Sequence, residues 1–285
     1  MSDDRPAAPA TPGDLHAAAL ACLACADPAR KVQATTAAAA AFAAGQLARG
    51  ESAAPQPVDV PGRPARPRLI APRDLPQRGL GSAEGRAAFV HAIAHIEFNA
   101  VNLAWDAVYR FRDMPDAFYA DWVGVAADEA RHFTLLAGRL HELGHAYGDF
   151  DAHDGLWEMA LRTADDRLAR MALVPRVLEA RGLDVTPAMI ARLRAVDDAR
   201  TADILELILR EEVAHVAAGT RWFHWCCAQA GVEPEATFAA LLDAHAPHAV
   251  RAPLNAPARR AAGFSAAEMD DLQRRAALRE RAPIR

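Results

Sequence analysis

The sequence has few cysteines, and their spacing does not suggest a disulfide framework. Only four of the 285 residues are cysteine, and they fall in two close pairs, Cys22 with Cys25 and Cys226 with Cys227. The Cys-x-x-Cys spacing also occurs in redox and metal half-sites, but here it lacks a second such pair and a βαβ context. Two small residues on an Ala-rich helix are the simpler interpretation. We therefore expect reduced thiols and a cytoplasmic protein.

The sequence also lacks long apolar runs, a basic leader and concentrated positive charge. No run is long enough to span a bilayer, and residues 1–13 lack the basic and apolar regions of a signal peptide, so we expect no membrane association. The formal net charge is −5 and the basic residues are scattered, which argues against nucleic-acid binding through bulk charge. The charge distribution does not exclude a tRNA substrate. Few lysines and Ala-rich helix faces favour close association, which makes a homodimer an option.

No segment shows the alternation of a β-strand, and helical periodicity predicts an all-α fold. With 52% hydrophobic residues, the chain has enough apolar surface for a sizeable core. Composition and turn signals divide it into four parts. These are a disordered N-terminus (1–13), an N-terminal helical hairpin followed by a proline-rich belt (14–81), a four-helix bundle (82–231) and a C-terminal helical extension (232–285).

Turn-forming residues set the expected ends of the bundle helices. The third helix should bend at Pro175, because proline lacks the N–H that a helix needs, and it should stop at Gly182. A short separate helix should then begin at Pro187. The four bundle helices are expected near 82–112, 116–144, 156–181 and 201–230.

Acidic and imidazole side chains interrupt two helical stripes that are otherwise apolar. Glu129 and His132 are three residues apart, so on a helix they project from one face and are able to bind one metal ion. Glu212 and His215 repeat this arrangement. Because an unpaired charge is costly to bury, these positions imply a compensating cation. The two repeats therefore predict metal ligands on two helices.

Two further glutamates complete the ligand set that bundles use for two metals, one Glu from each of two helices and Glu-x-x-His from each of the others. Glu97 is the only charge on its stripe, and it precedes the predicted turn by as many residues as Glu129 follows it. In an antiparallel hairpin the two would lie at one level. Glu212 follows Glu129 by 83 residues, and a nearly equal spacing of 82 residues from Glu97 selects Glu179 as the fourth carboxylate. The predicted metal ligands are Glu97, Glu129, His132, Glu179, Glu212 and His215.

The acid before each repeated glutamate is placed to support the opposite helix. Asp128 and Glu211 could each accept the ring N–H of the histidine across from it, and Arg131 could join the two acids. For either acid alone, a solvated position beside a buried one explains the pattern equally well. Carboxylates with one imidazole per ion favour two iron ions, with manganese or a mixed pair next.

Several longer phrases resemble an uncharacterised bacterial ferritin-like family that is grouped only as a domain of unknown function. They include residues 91–100, Asp121-Trp122, residues 173–184 and residues 211–216. The resemblance implies that the bundle is ferritin-like. The phrase at 128–132 is also similar to that of soluble diiron oxygenases and acyl-carrier-protein desaturases. The order of the ligand set resembles the tRNA hydroxylase that acts on isopentenyl-adenosine.

These observations favour an O₂-dependent oxidoreductase, a hydroxylase or oxidase, acting on an unidentified small organic molecule. The alternatives are a non-catalytic or ferroxidase-type iron-binding protein and a module in which the metal is structural. The long segments on both sides of the bundle favour a substrate pocket over a storage cage. Access to the metals is expected near Gly219 and at the loop 147–155. Ala214 stands where the oxygenase phrase has Arg, which puts the hydrogen-bond network around the second repeat in question.

Overall fold

The computed structural model describes residues 13–50 and 53–281, and within them nearly all regular structure is helical. The all-α prediction is confirmed. The expected absence of β structure fails at two places among these residues. Strand β1 (Gly13–Asp14) pairs in parallel with strand β2 (Leu47–Ala48), and Leu69 forms an isolated parallel bridge with Ala152. Residues 1–12, most of the N-terminus predicted to be disordered, lie outside the described part, and the division into domains stays a prediction.

The helices follow the predicted order, with differences in the second half of the chain. Asp14 and Asp27 cap the first two by accepting backbone N–H groups, and Pro28 occupies the first position of the second. In chain order the α-helices are α1 (Leu15–Ala24), α2 (Pro28–Ala43), α3 (Ala83–Arg110), α4 (Asp116–Glu142), α5 (Gly155–Arg162), α6 (Arg167–Leu173), α7 (Ala180–Arg194), α8 (Ala199–Ala230), α9 (Pro234–His245), α10 (Ala256–Ala261) and α11 (Ala266–Arg281).

The third bundle helix differs most from its prediction. A π-helix (Val174–Glu179) joins α6 to α7, and α7 continues through Gly182 and Pro187 without a break. The predicted stop at Gly182 and the separate short helix are therefore wrong. At Gly219 of α8, an added Cβ would lie 2.3 Å from the Cβ of Pro175. The glycine thus allows the proline-containing turn to pack against α8.

The proline-rich belt packs across the loop between α4 and α5. Ile70 donates its backbone N–H to Ala152 at 2.9 Å, and Ala152 donates to Arg68 at 3.0 Å. The Arg68 guanidinium also pairs with Asp151 at 2.6 Å. A single 3₁₀ turn (Pro72–Asp74) is the regular structure of this stretch. The belt is therefore held by backbone and side-chain contacts to the bundle.

Buried ion pairs attach the C-terminal helices to the third bundle helix. Arg176 donates to Glu268 of α11 at 2.6 Å, and Arg259 of α10 donates to Asp184 of α7 at 2.7 Å. All four side chains are at most 5% exposed. Within the described residues, no helix combines the length and apolarity that crossing a membrane requires.

Candidate metal centre

The six predicted ligands come from the four bundle helices and meet where two apolar clusters join. One cluster contains Val101, Ala126 and Val216, and the other contains Phe98 and Phe133. On α3 and α4 the clusters therefore follow one another along the helix. The ligands lie at this boundary: Glu97 on α3, Glu129 and His132 on α4, Glu179 at the end of the π-helix, and Glu212 and His215 on α8.

Two glutamates lie between the two imidazoles. His132 Nδ1 is 3.4 Å from Glu129 Oε2 and 3.8 Å from Glu212 Oε1. His215 Nδ1 is 3.0 Å from Glu129 Oε1 and 3.4 Å from Glu212 Oε1. Glu97 adds a carboxylate on the His132 side, with its Oε2 3.4 Å from Nδ1. Glu97, Glu129, His132 and Glu212 each offer a ligand atom within 4.8 Å of the others, which is close enough to hold one ion.

Glu179 belongs to the same buried core but stands outside that tight group of four. Burial, together with the charges of Glu212 and Glu129, raises its pKa to about 8, and His215 offsets part of this rise. Its Oε2 has no hydrogen-bond partner. Glu179 therefore lies close enough to the centre for its charge to interact with those of Glu212, Glu129 and His215.

An outer row of hydrogen bonds holds the two imidazoles from the opposite helices. His132 Nε2 donates to Glu211 Oε2 at 2.6 Å, and His215 Nε2 donates to Asp128 Oδ2 at 3.2 Å. We assign the proton to Nε2 because a carboxylate accepts there. Arg131 Nη2 donates to both acids, at 2.8 Å and 2.7 Å. The hydrogen bond from His215 holds the pKa of Asp128 at about 2. The network orients both Nδ1 atoms toward the glutamates.

Unpartnered atoms concentrate at this centre. Buried polar atoms are nearly always hydrogen-bonded, so a group of orphans calls for an explanation. The orphans here are atoms that bind metal ions in proteins, carboxylate oxygens and imidazole nitrogens that face one another. The residues present therefore fit a bound metal. The buried atoms without a hydrogen-bond partner here are Glu129 Oε1, Glu129 Oε2, His132 Nδ1, Glu179 Oε2 and His215 Nδ1.

Protons take part in the charge balance of the cluster. Burial raises the pKa of Glu97 well above its usual range, and the nearby Glu129 raises it further. Burial also raises the pKa of Glu212. For His132, burial lowers the pKa, but contacts with Glu129 and Glu97 outweigh burial and raise it to about 11. A metal ion would take the place of these protons, so its binding should release them.

A cavity of ≈ 180 Å³ between α3 and α7 opens onto four of the carboxylates, Glu97, Glu129, Glu179 and Glu212. The sequence predicted access near Gly219, which is wrong because Pro175 fills the space there. The structure places the opening beside the helical residues around Gly182. Gly182 is the sequence feature that coincides with this opening, but local rules interpret a glycine at this position as the end of a helix.

Comparisons with known proteins are consistent with one family over most of the chain. A family model described as "Protein of unknown function (DUF455)" matches residues 24–270. An uncharacterized protein of Haemophilus influenzae is 46% identical over 214 residues, which cover 73% of this chain and 74% of that protein. No solved structure matches the chain.

Proposed function

We infer the function from the geometry of the buried centre. The chain belongs to the DUF455 family, whose function is unknown, so family membership alone indicates no activity. We propose a ferritin-like diiron carboxylate protein that acts as an O₂-dependent oxidoreductase on a small organic molecule. One observation carries the proposal. Five carboxylate and imidazole atoms of the proposed ligands are buried without a hydrogen-bond partner, while hydrogen bonds from the other side fix both imidazoles.

The arrangement of the ligands favours two ions over one. Glu97 would serve an ion on the His132 side, and Glu179 an ion on the His215 side. Glu129 and Glu212, which contact both imidazoles, would serve both. Four carboxylates carry as much negative charge as two divalent ions carry positive charge, so the pair would leave no net charge in the core. The ligand set also matches the one known for two-metal helical bundles.

Iron is the proposed metal, with manganese or a mixed pair as the alternatives, because hard oxygen ligands with one imidazole per ion suit these metals. A pair of iron ions supplies one-electron and O₂ chemistry. Asp128 and Glu211 would orient the imidazoles toward the metals, and Arg131 joins the two acids. The apolar cavity beside the glutamates favours an organic substrate over iron storage, since stored iron needs a hydrated route.

The test is to load the protein with iron(II) without oxygen, admit O₂, and follow the absorption spectrum and the iron content through repeated reduction cycles. We expect about two irons per chain that are oxidised and reduced repeatedly in place. Uptake far beyond two irons would favour storage, and bound iron that never oxidises would favour a structural metal.

A pair of histidine variants on one helix provides the control. His215→Ala removes a proposed ligand, whereas His224→Ala removes an exposed imidazole from the same helix, α8. We expect the first to lose iron and the second to keep it, as measured by elemental analysis. Normal iron content in His215→Ala, or less than half an equivalent in the unaltered protein, would refute the centre.

A further inference from the structure

The cavity between α3 and α7 ends on the carboxylates that face the proposed metals. Glu97 and Glu179 lie on opposite walls, one on α3 and the other at the end of the π-helix. The rest of the lining is mostly aliphatic. It includes Ile93, Ala100, Leu178, Val185, Met189 and Ile208. A molecule that enters the cavity therefore contacts apolar side chains on its flanks and the metal centre at its inner end.

The cavity offers no free charge to a ligand apart from the glutamates of the centre. Arg181 is the one cation in its lining, and its guanidinium donates to the carbonyl oxygens of Arg251, Ala252 and Pro253 at 2.7 to 3.2 Å. Once metal ions neutralise the glutamates, an ion that entered would lose its hydration without gaining a partner, which is costly. The chemistry of the lining therefore selects an uncharged group.

The volume sets the size of that group. Cavities of roughly 150 Å³ lined by Leu, Ile and Phe stay dry and bind benzene. At ≈ 180 Å³ this cavity is slightly larger. It therefore suits a benzene ring or a chain of about six carbons. A larger cavity of ≈ 470 Å³ lies elsewhere, but its lining includes the mutually paired Arg167 and Asp113 and none of the metal ligands.

A neighbouring cavity shares part of its lining with the inner one. Ile96 and Leu156 line both, and the outer cavity of ≈ 170 Å³ is also bounded by Arg78, Asp151 and His153. Ile96, at this shared wall, is 46% exposed. The two cavities therefore adjoin at an apolar side chain that solvent reaches.

We propose that the inner cavity binds the uncharged apolar group of an organic substrate, about the size of a benzene ring or a six-carbon chain, directly beside Glu97 and Glu179. This inference rests on the proposed function, because it names the class of molecule that the metal centre acts on. Gly182 is the position at which it is tested. This helical glycine lines the cavity, and an added Cβ would meet no atom within 4 Å.

The experiment uses two probes of equal length, neutral 1-hexanol and cationic hexylammonium, titrated calorimetrically into the iron-loaded protein. Gly182→Leu should fill the cavity without a backbone clash. Gly138→Leu is the matched control, because Gly138 is also a helical glycine with open space at its Cβ but lies on the exposed side of α4. Leucine is the better helix former, so neither variant should lower the melting temperature.

We expect hexanol to bind at least tenfold more tightly than hexylammonium. Gly182→Leu should weaken hexanol binding at least tenfold and keep its iron, while Gly138→Leu should bind hexanol normally. Equal binding of the two probes, or unchanged hexanol binding in Gly182→Leu with iron retained, would overturn this inference and leave the proposed function standing. Hexanol binding that Gly182→Leu abolishes in a protein that takes up no iron would overturn the proposed function and still support an apolar ligand site.

Discussion

Asp106 and Glu129 are both carboxylates buried in the bundle, but the chain surrounds them differently. Asp106 accepts from Arg170 at 2.5 Å and from Arg110 at 2.8 Å. Arg170, itself 1% exposed, uses its remaining donors on Thr163 Oγ1 at 2.7 Å and on a backbone carbonyl. Every charge in this group meets an opposite charge or a polar partner from the same chain.

Glu129 is surrounded instead by more carboxylates. Glu97, Glu179 and Glu212 are the nearby acids, the two histidines are its only contacts of opposite sign, and neither of its oxygens has a hydrogen-bond partner among the described residues. A buried charge that the chain neutralises itself supports structure. A cluster that lacks its countercharge indicates a ligand. Buried charge alone therefore does not mark a functional site, whereas its imbalance does.

The largest expected effect comes from a substitution that disrupts the balanced group of Asp106, Arg110 and Arg170. Arg170→Met leaves Asp106 buried with only Arg110 as a partner, and removing one member of a buried pair typically costs about 3–5 kcal/mol. We expect the free energy of unfolding to fall by that amount. Urea denaturation with iron and with a chelator should give the same loss, because this group does not contact the metal centre. A loss that depends on iron would contradict the distinction between the two groups.

The second-largest effect concerns the unbalanced group around Glu129. Here the substitution is expected to raise the stability of the metal-free protein instead of lowering it. The pKa of Glu179 is 4.5 in a free glutamate and about 8 in the fold. As pH rises between these values, the unfolded chain releases the proton and the folded chain keeps it. The metal-free protein should therefore lose stability across this range. Glu179→Gln removes this loss and should stabilise the metal-free protein at pH 7 by on the order of 3 kcal/mol.

Melting curves of the chelated proteins across this pH range test the effect of Glu179→Gln. The exposed Glu158 provides the control variant Glu158→Gln, which should keep the pH slope of the unaltered protein. The same Glu179→Gln protein should bind iron more weakly. Lower metal-free stability in Glu179→Gln would show that the carboxylate is already balanced by the chain.

A smaller effect comes from the outer row of hydrogen bonds. Glu211→Gln replaces the carboxylate that accepts from His132 with a neutral amide, which should lower iron affinity about 10- to 100-fold. Competition with a chelator of known affinity measures it. Glu206→Gln, on the same helix but in a pair with Arg194, should leave the affinity unchanged. An unchanged affinity in Glu211→Gln would mean that the histidine needs no charged support.

The smallest effect is expected for an exposed ion pair, which shows how little a pair contributes to stability without burial. Arg274 and Asp271 pair at 2.8 Å on α11, but the Arg274 side chain is 71% exposed. Exposed pairs contribute about 0–1 kcal/mol because water screens the charges. Arg274→Met should therefore change the free energy of unfolding by less than about 1 kcal/mol in urea, with or without iron. A loss as large as that of Arg170→Met would show that burial does not explain why the two ion pairs differ in their contribution to stability.

The proximity of most site residues was predictable because it depends on local periodicity. Glu129 with His132 and Glu212 with His215 are i,i+3 pairs on apolar stripes, and such pairs must meet if the stripes form the core. The contacts of Asp128 and Glu211 with the opposite histidines follow from the same pattern. Their role as metal ligands or supports stays a prediction.

The path of the chain around Glu179 was not predictable from local rules. Pro175 and Gly182 signal a helix end when considered alone. In the fold, Gly219 on a distant helix makes room for the proline, and the buried pair of Asp184 with Arg259 holds the segment beyond it. These partners are far away in sequence, so tertiary packing overrides the local signal. The cavity, which depends on this continuous helix, was missed for the same reason.

The attachment of the N-terminal hairpin has a consequence for chemical labelling. Lys31 is the only lysine in the chain, and its amine is buried, donating to the carbonyl oxygens of Cys22 and Leu23 and to Asn102 of α3. Burial lowers its pKa to about 8 and shields the amine from solvent, so the group reacts with a dye only when it becomes exposed. Labelling of Lys31 by an amine-reactive dye should therefore be slow, and its rate measures how often the hairpin lifts from the bundle.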